Sequence, residues 1–508
     1  MNEITQDASN FDVVIVGAGS AGATLAARLS EDPDRRVLLL EGGPVYPADA
    51  VPAALADAAR IADPEFDWGY TAHAGAKTDQ IAAARGRALG GSSAVNAAVA
   101  IRARRPDIER WSSEYGVIGW SWPEVLETFR VLENNPDGAA AIHGRRGPVS
   151  VRQRTMEGIT PGLRAFVNSA VSEGHSLVED FNSDDPEGAG PYPVNIVDGV
   201  RQSVAVAYLT EAVRARPNLQ IQGDVTIDRV VFESDRAVGV LDADGRFYAA
   251  GEVLLAGGAF GSPAILLRSG VGPADDLRDL GIDVVADLPV GRRLQDQPFF
   301  YSIYALAPGS TDMSPATGAL LWFRSSAAQQ GDLDLQISAT HLIDPSYSPT
   351  GGAIVFATGV VQPESRGTLR LADASAHSAP IVDYNFLATD RDRVRMIEGV
   401  RLSRHLGRSG VFASVNAGEI VPGDAVDENA LEDFVFGNLA TYAHATSTVP
   451  MGADDDPRAV VDATGAVKSL RGLRVVDASI IPEVPSTVTN LTTIMVAEHI
   501  ARRVYGIR

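Results

Sequence analysis

Phe11-Asp-Val-Val-Ile-Val16-Gly17-Ala18-Gly19-Ser20-Ala21-Gly22-Ala-Thr-Leu-Ala-Ala-Arg-Leu29 is the stretch whose reading decides the fold. A short β-branched run ends in glycines and passes into apolar residues at helical spacing, so it reads as strand, tight turn and helix. A second apolar run, 37–40, stops at Glu41 before the breaker Gly42-Gly43-Pro44 and completes a βαβ unit of about 30 residues. The fold class is therefore α/β, with a parallel, Rossmann-like sheet. In the turn, Gly17 permits the sharp reversal, Gly19 lets the backbone approach a pyrophosphate, and Gly22 lets the helix pack close to the strand. Ser20 and Ala21 complete the loop at the helix N-terminus, which attracts phosphate. Glu41 stands where a carboxylate accepts hydrogen bonds from adenosine ribose hydroxyls; it would repel a 2′-phosphate, which disfavours NADP. A bound dinucleotide is expected, and the fingerprint leaves FAD and NAD both open.

Working outward, the run 252–256 enters Gly257-Gly258-Ala259-Phe260-Gly261-Ser262-Pro263 and repeats the logic of strand, glycine turn and helix. Ser121 before Trp122-Pro123-Glu124 caps a helix reaching about Glu133. From about Phe299 to Leu371 the pattern alternates in the runs FFYSIYAL, GALLWFRSS, DLDLQISATHL, GGAIVFATGVVQ and GTLRLAD, which predicts an antiparallel sheet in a second, α+β domain. A strand at 473–479 and a helix from about Thr492 to Val504 bring glycine-rich α/β character back. The expected division is 10–297 for the nucleotide-binding domain with its cap segments, 298–438 for a substrate-binding domain, and 439–508 for a C-terminal segment returning to the first.

A chain of 508 residues exceeds the ~250–300 at which one core usually splits. The net charge of −22 repels phosphate backbones and anionic lipid, which argues against nucleic acid and membrane surfaces as partners. There are no cysteines, so redox chemistry requires a cofactor. The first ten residues are polar and the run after them is broken by Asp12 and three glycines, so neither a signal peptide nor a membrane span is expected, and a cytoplasmic location follows by default. No histidine spacing suggests metal ligands, and no metal is expected.

The segment Arg85-Gly86-Arg87-Ala88-Leu89-Gly90-Gly91-Ser92-Ser93-Ala94-Val95-Asn96 resembles the first signature of the glucose-methanol-choline (GMC) oxidoreductases, and 261–272 resembles the second. His143-Gly144, Leu294-Gln295-Asp296, Ser365-Arg366-Gly367 and Val476-Asp477-Ala478-Ser479 agree with it in order and spacing. Choline dehydrogenase-like and aryl-alcohol or hydroxymethylfurfural oxidase-like members are the most similar. The resemblance implies FAD. It places Arg87, Gly91, Ser92, Asn96, Ala97 and Val99 on the loop passing the pyrophosphate and flavin, Val225 at the adenine through its backbone, and Asp477, Ala478 and Leu491 at the cofactor. Where some members attach the flavin through a histidine, this chain has Val95, so the flavin is expected to be noncovalent.

Oxidising an alcohol at a flavin needs a base for the hydroxyl proton and a donor for the oxygen, and histidine suits the first task. Of eight histidines, His444 in Thr441-Tyr442-Ala443-His444 is similar to the family's base, and Asn490 is matched to its second catalytic position. The remaining readings are a core histidine for His444 and a helix cap for Asn490. His143 reads as a loop anchor. The last helix should point its N-terminus inward, where its dipole would stabilise charge developing on flavin reduction. Three positions depart from the family: Ser447-Thr448 where many members have Gly-Thr, Gln297 where histidine is common, and Ala443 in place of a bulkier residue. The first two bear on loop geometry, and the third suggests a roomier pocket. The expected activity is oxidation of a small-molecule alcohol, of primary or of benzylic or furanic type, to the aldehyde or ketone, with oxygen, a quinone or another redox carrier as electron acceptor. The rival readings are a hydroxynitrile lyase-like flavoprotein and a flavin electron-transfer protein.

Overall fold

The computed structural model describes residues 5–6, 11–78, 80–329 and 331–507. Its central sheet forms as the opening sequence predicts. Strand Phe11–Val16 pairs in parallel with Val37–Leu40 on one side and with the second half of Arg246–Leu255 on the other. Leu219–Gln222 extends the sheet beyond Val37–Leu40, also in parallel. The ten-residue strand Arg246–Leu255 is shared: its first half pairs antiparallel with Arg236–Asp242, which pairs in turn with Ile227–Glu233, and its last residues pair in parallel with Leu473–Val475. Strands Phe11–Val16 and Val37–Leu40 are apolar and buried except at Asp12, and helix Gly22–Leu29 packs on both. Helix Gly22–Leu29 packs against the final helix, Asn490–Tyr505, in which every residue from Leu491 to Ala501 is buried.

The second sheet is antiparallel throughout. Its order is Asn416–Val421, Pro298–Leu306, Ala353–Val360, Leu335–Thr340, Thr317–Phe323 and Gly188–Pro191, with Ala440–Thr441 pairing beside Pro298–Phe299. Helices Pro161–Ser172 and Asp390–Gly407 pack against this sheet.

Two sequence expectations are corrected here, and one strand appears that none anticipates. The GTLRLAD run does not join the main antiparallel sheet: Thr368–Arg370 pairs with Ile381–Phe386, which lies in parallel beside Thr71–Gly75 in a separate four-stranded sheet. The edge strand Gly188–Pro191 has no β-branched or aromatic residue, so local propensity gave no sign of it. The last helix starts at Asn490 rather than Thr492, because the Thr493 N–H reaches back to the Thr489 carbonyl at 2.9 Å.

Candidate active site

One cavity of about 870 Å³ runs from the glycine loops to the face of the antiparallel sheet. At its first end the two glycine-rich loops lie against each other. Gly17 has φ +97°, and a Cβ there would sit 2.5 Å from the Ala256 carbonyl oxygen. A Cβ on Gly91, at φ +51°, would lie 2.6 Å from the Cα of Gly19. Both are closer than real side chains come, so the loops meet only because these positions are glycine. Gly22 lies off the cavity wall, and a Cβ on it would meet the Gly17 carbonyl at 1.8 Å; it serves helix-to-strand packing. The Glu41 carboxylate is buried and accepts the backbone N–H groups of Ala18 at 2.8 Å and Gly43 at 2.9 Å. Burial pushes its pKa up to about 7, against the downward pull of those donors.

Ser20, Ala21, Ser92, Asn96, Ala97, Val99, Val225, Asp477 and Ala478 also line the cavity. The Val225 N–H is committed to the Glu41 carbonyl at 2.9 Å, so any adenine contact falls to the Val225 carbonyl. The Asp477 carboxylate accepts from Gly258 N, Ser262 Oγ, Ser479 N and Ser479 Oγ at 2.5–2.9 Å. It ties the second glycine turn to the C-terminal segment, and what it offers a ligand is chiefly backbone. Arg87 and Leu491 are off the wall. The Arg87 guanidinium donates to the Gly42 carbonyl and lies over the Trp68 ring, while Leu491 is buried in the helix core.

At the other end, alternate residues of the sheet form a wall. Phe299, Tyr301 and Ile303 share a face with Val355 and Ala357, because Tyr301 pairs with Ala357 and Ile303 with Val355. The Phe299 ring lies across Gly359, where a Cβ would be 2.2 Å from it. Tyr442 lies between Phe299 and His444, tilted 36° to each ring, with ring centroids 3.6 and 4.1 Å away. Asp296 Oδ1 accepts the His444 backbone N–H at 2.9 Å, and Gln297 Oε1 lies 2.7 Å from His444 Nδ1. Burial, with the nearby Arg85 guanidinium, lowers the His444 pKa to about 3, so the imidazole is neutral. His444 is flanked by two non-glycine residues in the left-handed region, Ala443 at φ 62° and Ser447 at φ 64°. Ser447 thus takes the backbone conformation that glycine takes more readily.

Asn490 lines the cavity at the start of the last helix, and its Oδ1 accepts from Ser20 Oγ at 2.8 Å. Its amide is therefore tied to the nucleotide loop and keeps only Nδ2–H to donate to a ligand. Val488, two residues earlier, packs with Tyr192 and Tyr442. The fold thus brings His444, Asn490 and the glycine loops to one cavity. Sequence reasoning missed the aromatic wall: strand alternation in FFYSIYAL was visible, but not which face would meet the cavity.

A backbone cradle beside a buried acidic residue fits a dinucleotide. The sequence matches the GMC oxidoreductase models over residues 11–299 and 363–497. The chain belongs to the GMC oxidoreductase family. This GMC oxidoreductase is 37% identical to an oxygen-dependent choline dehydrogenase of Pseudomonas syringae pv. tomato, over 98% of its own length and 94% of the relative's. It is 36% identical to mitochondrial choline dehydrogenase of Mus musculus, over 98% and 89%. Pyridoxine 4-oxidase from Mesorbium loti superposes with a TM-score of 0.89 at 33% identity, covering 98% of this chain and 100% of that one. The GMC oxidoreductase is accordingly an FAD-dependent enzyme acting on CH–OH groups. Among the described residues, no helix is long and apolar enough to cross a membrane.

Proposed function

We propose that this enzyme oxidises a neutral primary alcohol carried on a flat ring, benzylic or furanic, to its aldehyde, with His444 as the base. The observation that carries the reading is the reaction end of the cavity: a neutral imidazole at the end of a row of tilted aromatic rings, on a wall of small and apolar side chains. Among the described residues the only acids on the cavity wall are Glu41, Asp344 and Asp477. Glu41 belongs to the nucleotide end, Asp477 is consumed by four hydrogen bonds, and Asp344 is exposed and accepts the Ser346 N–H. No buried carboxylate is left to pair with the quaternary ammonium of choline, the substrate that the sequence relatives' names suggest. A flat neutral ring gains by stacking on Phe299 and Tyr442, faces that also attract a quaternary ammonium, so choline is the comparison the test must include.

The cofactor end is assigned to Gly17, Gly19, Ser20, Ala21, Glu41, Gly91, Ser92, Asn96, Ala97, Val99, Val225 and the 477–478 backbone. Val95 offers no nucleophile, so the FAD is held noncovalently. Bound FAD supplies the acceptor for the carbinol hydride. His444 Nε2 takes the hydroxyl proton, and Asn490 donates through Nδ2 at the boundary between cofactor and alcohol. The N-terminus of the last helix opens on the same cavity, where its dipole favours negative charge.

The test is the visible spectrum of the purified holoenzyme, titrated without oxygen with benzylic, furanic and aliphatic primary alcohols and with choline. Bleaching by ring-bearing alcohols at concentrations where choline does nothing supports the reading. Bleaching by choline alone overturns the substrate class, and aldehyde release without bleaching points to a lyase. Adding dioxygen or a quinone to the bleached enzyme then identifies the acceptor.

A further inference from the structure

We propose that Gln297 is a positioning residue that fixes the proton of His444 on Nδ1 and so makes Nε2 the atom that accepts the alcohol proton. The inference rests on His444 being the base of the oxidation proposed above. Gln297 is fully buried, and all its amide atoms are engaged. Its Nε2 donates to the carbonyls of Val361 at 2.8 Å and Pro485 at 2.7 Å. Its Oε1 lies 2.7 Å from His444 Nδ1.

Those two carbonyls decide which way the amide points. A carbonyl oxygen only accepts, so the group between Val361 and Pro485 must be the NH₂. Turning the amide over would set its oxygen against two other oxygens and lose both hydrogen bonds in a buried site. With the amide fixed, the oxygen at His444 can only accept, so Nδ1 must carry a hydrogen. Burial and Arg85 keep the ring neutral, and a neutral imidazole has one ring hydrogen. Nε2 is therefore the bare nitrogen. When the alcohol O–H bond breaks, its proton forms the new N–H bond at Nε2, and the Nδ1–H···Oε1 bond persists on the imidazolium that results.

The same short segment holds the backbone as well as the ring. Asp296 Oδ1 accepts from both Gln297 N at 2.7 Å and His444 N at 2.9 Å, and the Gln297 carbonyl accepts from Tyr442 N at 3.0 Å. The two segments are 147 residues apart in sequence, so nothing local to the Thr-Tyr-Ala-His stretch sets the tautomer. A residue that departs from the family pattern thus has a defined task.

The test reads the ring directly. Holoenzyme labelled with ¹⁵N-histidine, with His444→Gln to assign the signal, should show Nδ1 protonated and Nε2 bare. In Gln297→Met the signal should move toward the Nε2–H form, and anaerobic flavin reduction by the bleaching alcohol should slow about 10- to 100-fold with KM and bound FAD retained. A wild-type signal showing Nε2–H overturns the inference, as does Gln297→Met keeping both the Nδ1–H signature and the wild-type rate. Should the Met variant fail to fold, the wild-type spectrum alone still decides. If no alcohol bleaches the flavin, the functional reading fails while the ring signals still answer for Gln297.

Discussion

His143 and His444 are both histidines with an oxygen beside Nδ1, and their surroundings drive them in opposite directions. Glu133 lies 3.0 Å from His143 Nδ1 and Asp180 lies 2.8 Å from Nε2, with the ring fully enclosed. Burial alone would lower its pKa, but the hydrogen bonds to the two carboxylates prevail and raise it to about 9. His444 has a neutral amide at Nδ1, an arginine nearby and no carboxylate on its ring, and burial takes it down to about 3. A histidine's work is thus decided by the charge of its partners, because burial alone would have made both neutral. A clamped cation braces a loop; a neutral ring with one bare nitrogen is ready to take a proton.

The largest expected effect breaks the second half of this contrast. His444→Ala should slow anaerobic flavin reduction by about 10²–10⁴-fold, the usual range for a general base, with FAD content and thermal stability near wild type. A loss below tenfold would show that the proton leaves by another route.

The next breaks the first half. His143→Gln leaves the buried Glu133 and the half-buried Asp180 without their shared cation and should cost about 3 kcal/mol of stability at neutral pH, with the flavin reduction rate unchanged. The pH dependence carries a sign. Because the folded pKa is raised above the unfolded value of about 6.5, the stabilisation is complete below pH 6.5 and is lost as pH rises through about 9. Chemical denaturation of wild type and variant across that range should therefore converge at high pH. Curves that stay parallel would mean His143 is neutral in the fold.

Glu41 extends the lesson to a carboxylate at the nucleotide end. Glu41→Gln puts an NH₂ where one of the Ala18 or Gly43 N–H groups needs an acceptor, and it removes the carboxylate proposed to hold the ribose. FAD affinity of the apoenzyme should fall about tenfold, equivalent to about 1.4 kcal/mol. Hydroxyl donors favour the ionised carboxylate, so wild-type FAD binding should tighten as pH rises through about 7, and the variant should lose that dependence. An identical pH profile in both proteins would remove Glu41 from the site.

What could be read in the sequence follows the same division. The nucleotide cradle is written locally: two glycine loops and one acid at fixed spacing give the turn, the close approach and the carboxylate, and Gly17, Gly19, Gly91 and Glu41 meet around one cavity. His143 could be placed as a loop anchor from its glycine neighbours, although Asp180, 37 residues on, gave no signal. The reaction end is assembled across long separations, from Gln297 to His444 and from Ser20 to Asn490, 470 residues apart. Gln297 was visible only as a departure from a motif, and its role emerges once Val361 and Pro485 are seen to hold its amide. Arg87 and Leu491 show the reverse case, since motif membership alone did not put their side chains on the cavity wall.

The smallest expected effect tests how much of the His444 shift belongs to charge. Burial is its main cause and Arg85 the secondary one, so Arg85→Met should raise the His444 pKa without restoring its ordinary value. A second consequence acts in the same direction. Arg85 lies 3.7 Å from the buried Asp296 carboxylate, which accepts the His444 backbone N–H, and removing the guanidinium leaves that negative charge less balanced beside the ring. In wild type the rate of flavin reduction should be flat as pH falls from 7 toward 5, because His444 stays neutral there. In the variant the acidic limb should move up from about 3 toward 5, with the rate at pH 8 close to wild type. A variant whose limb coincides with that of wild type would assign the whole shift to burial, and a wild-type limb near 6.5 would show that bound FAD leaves His444 in the ordinary range of an imidazole.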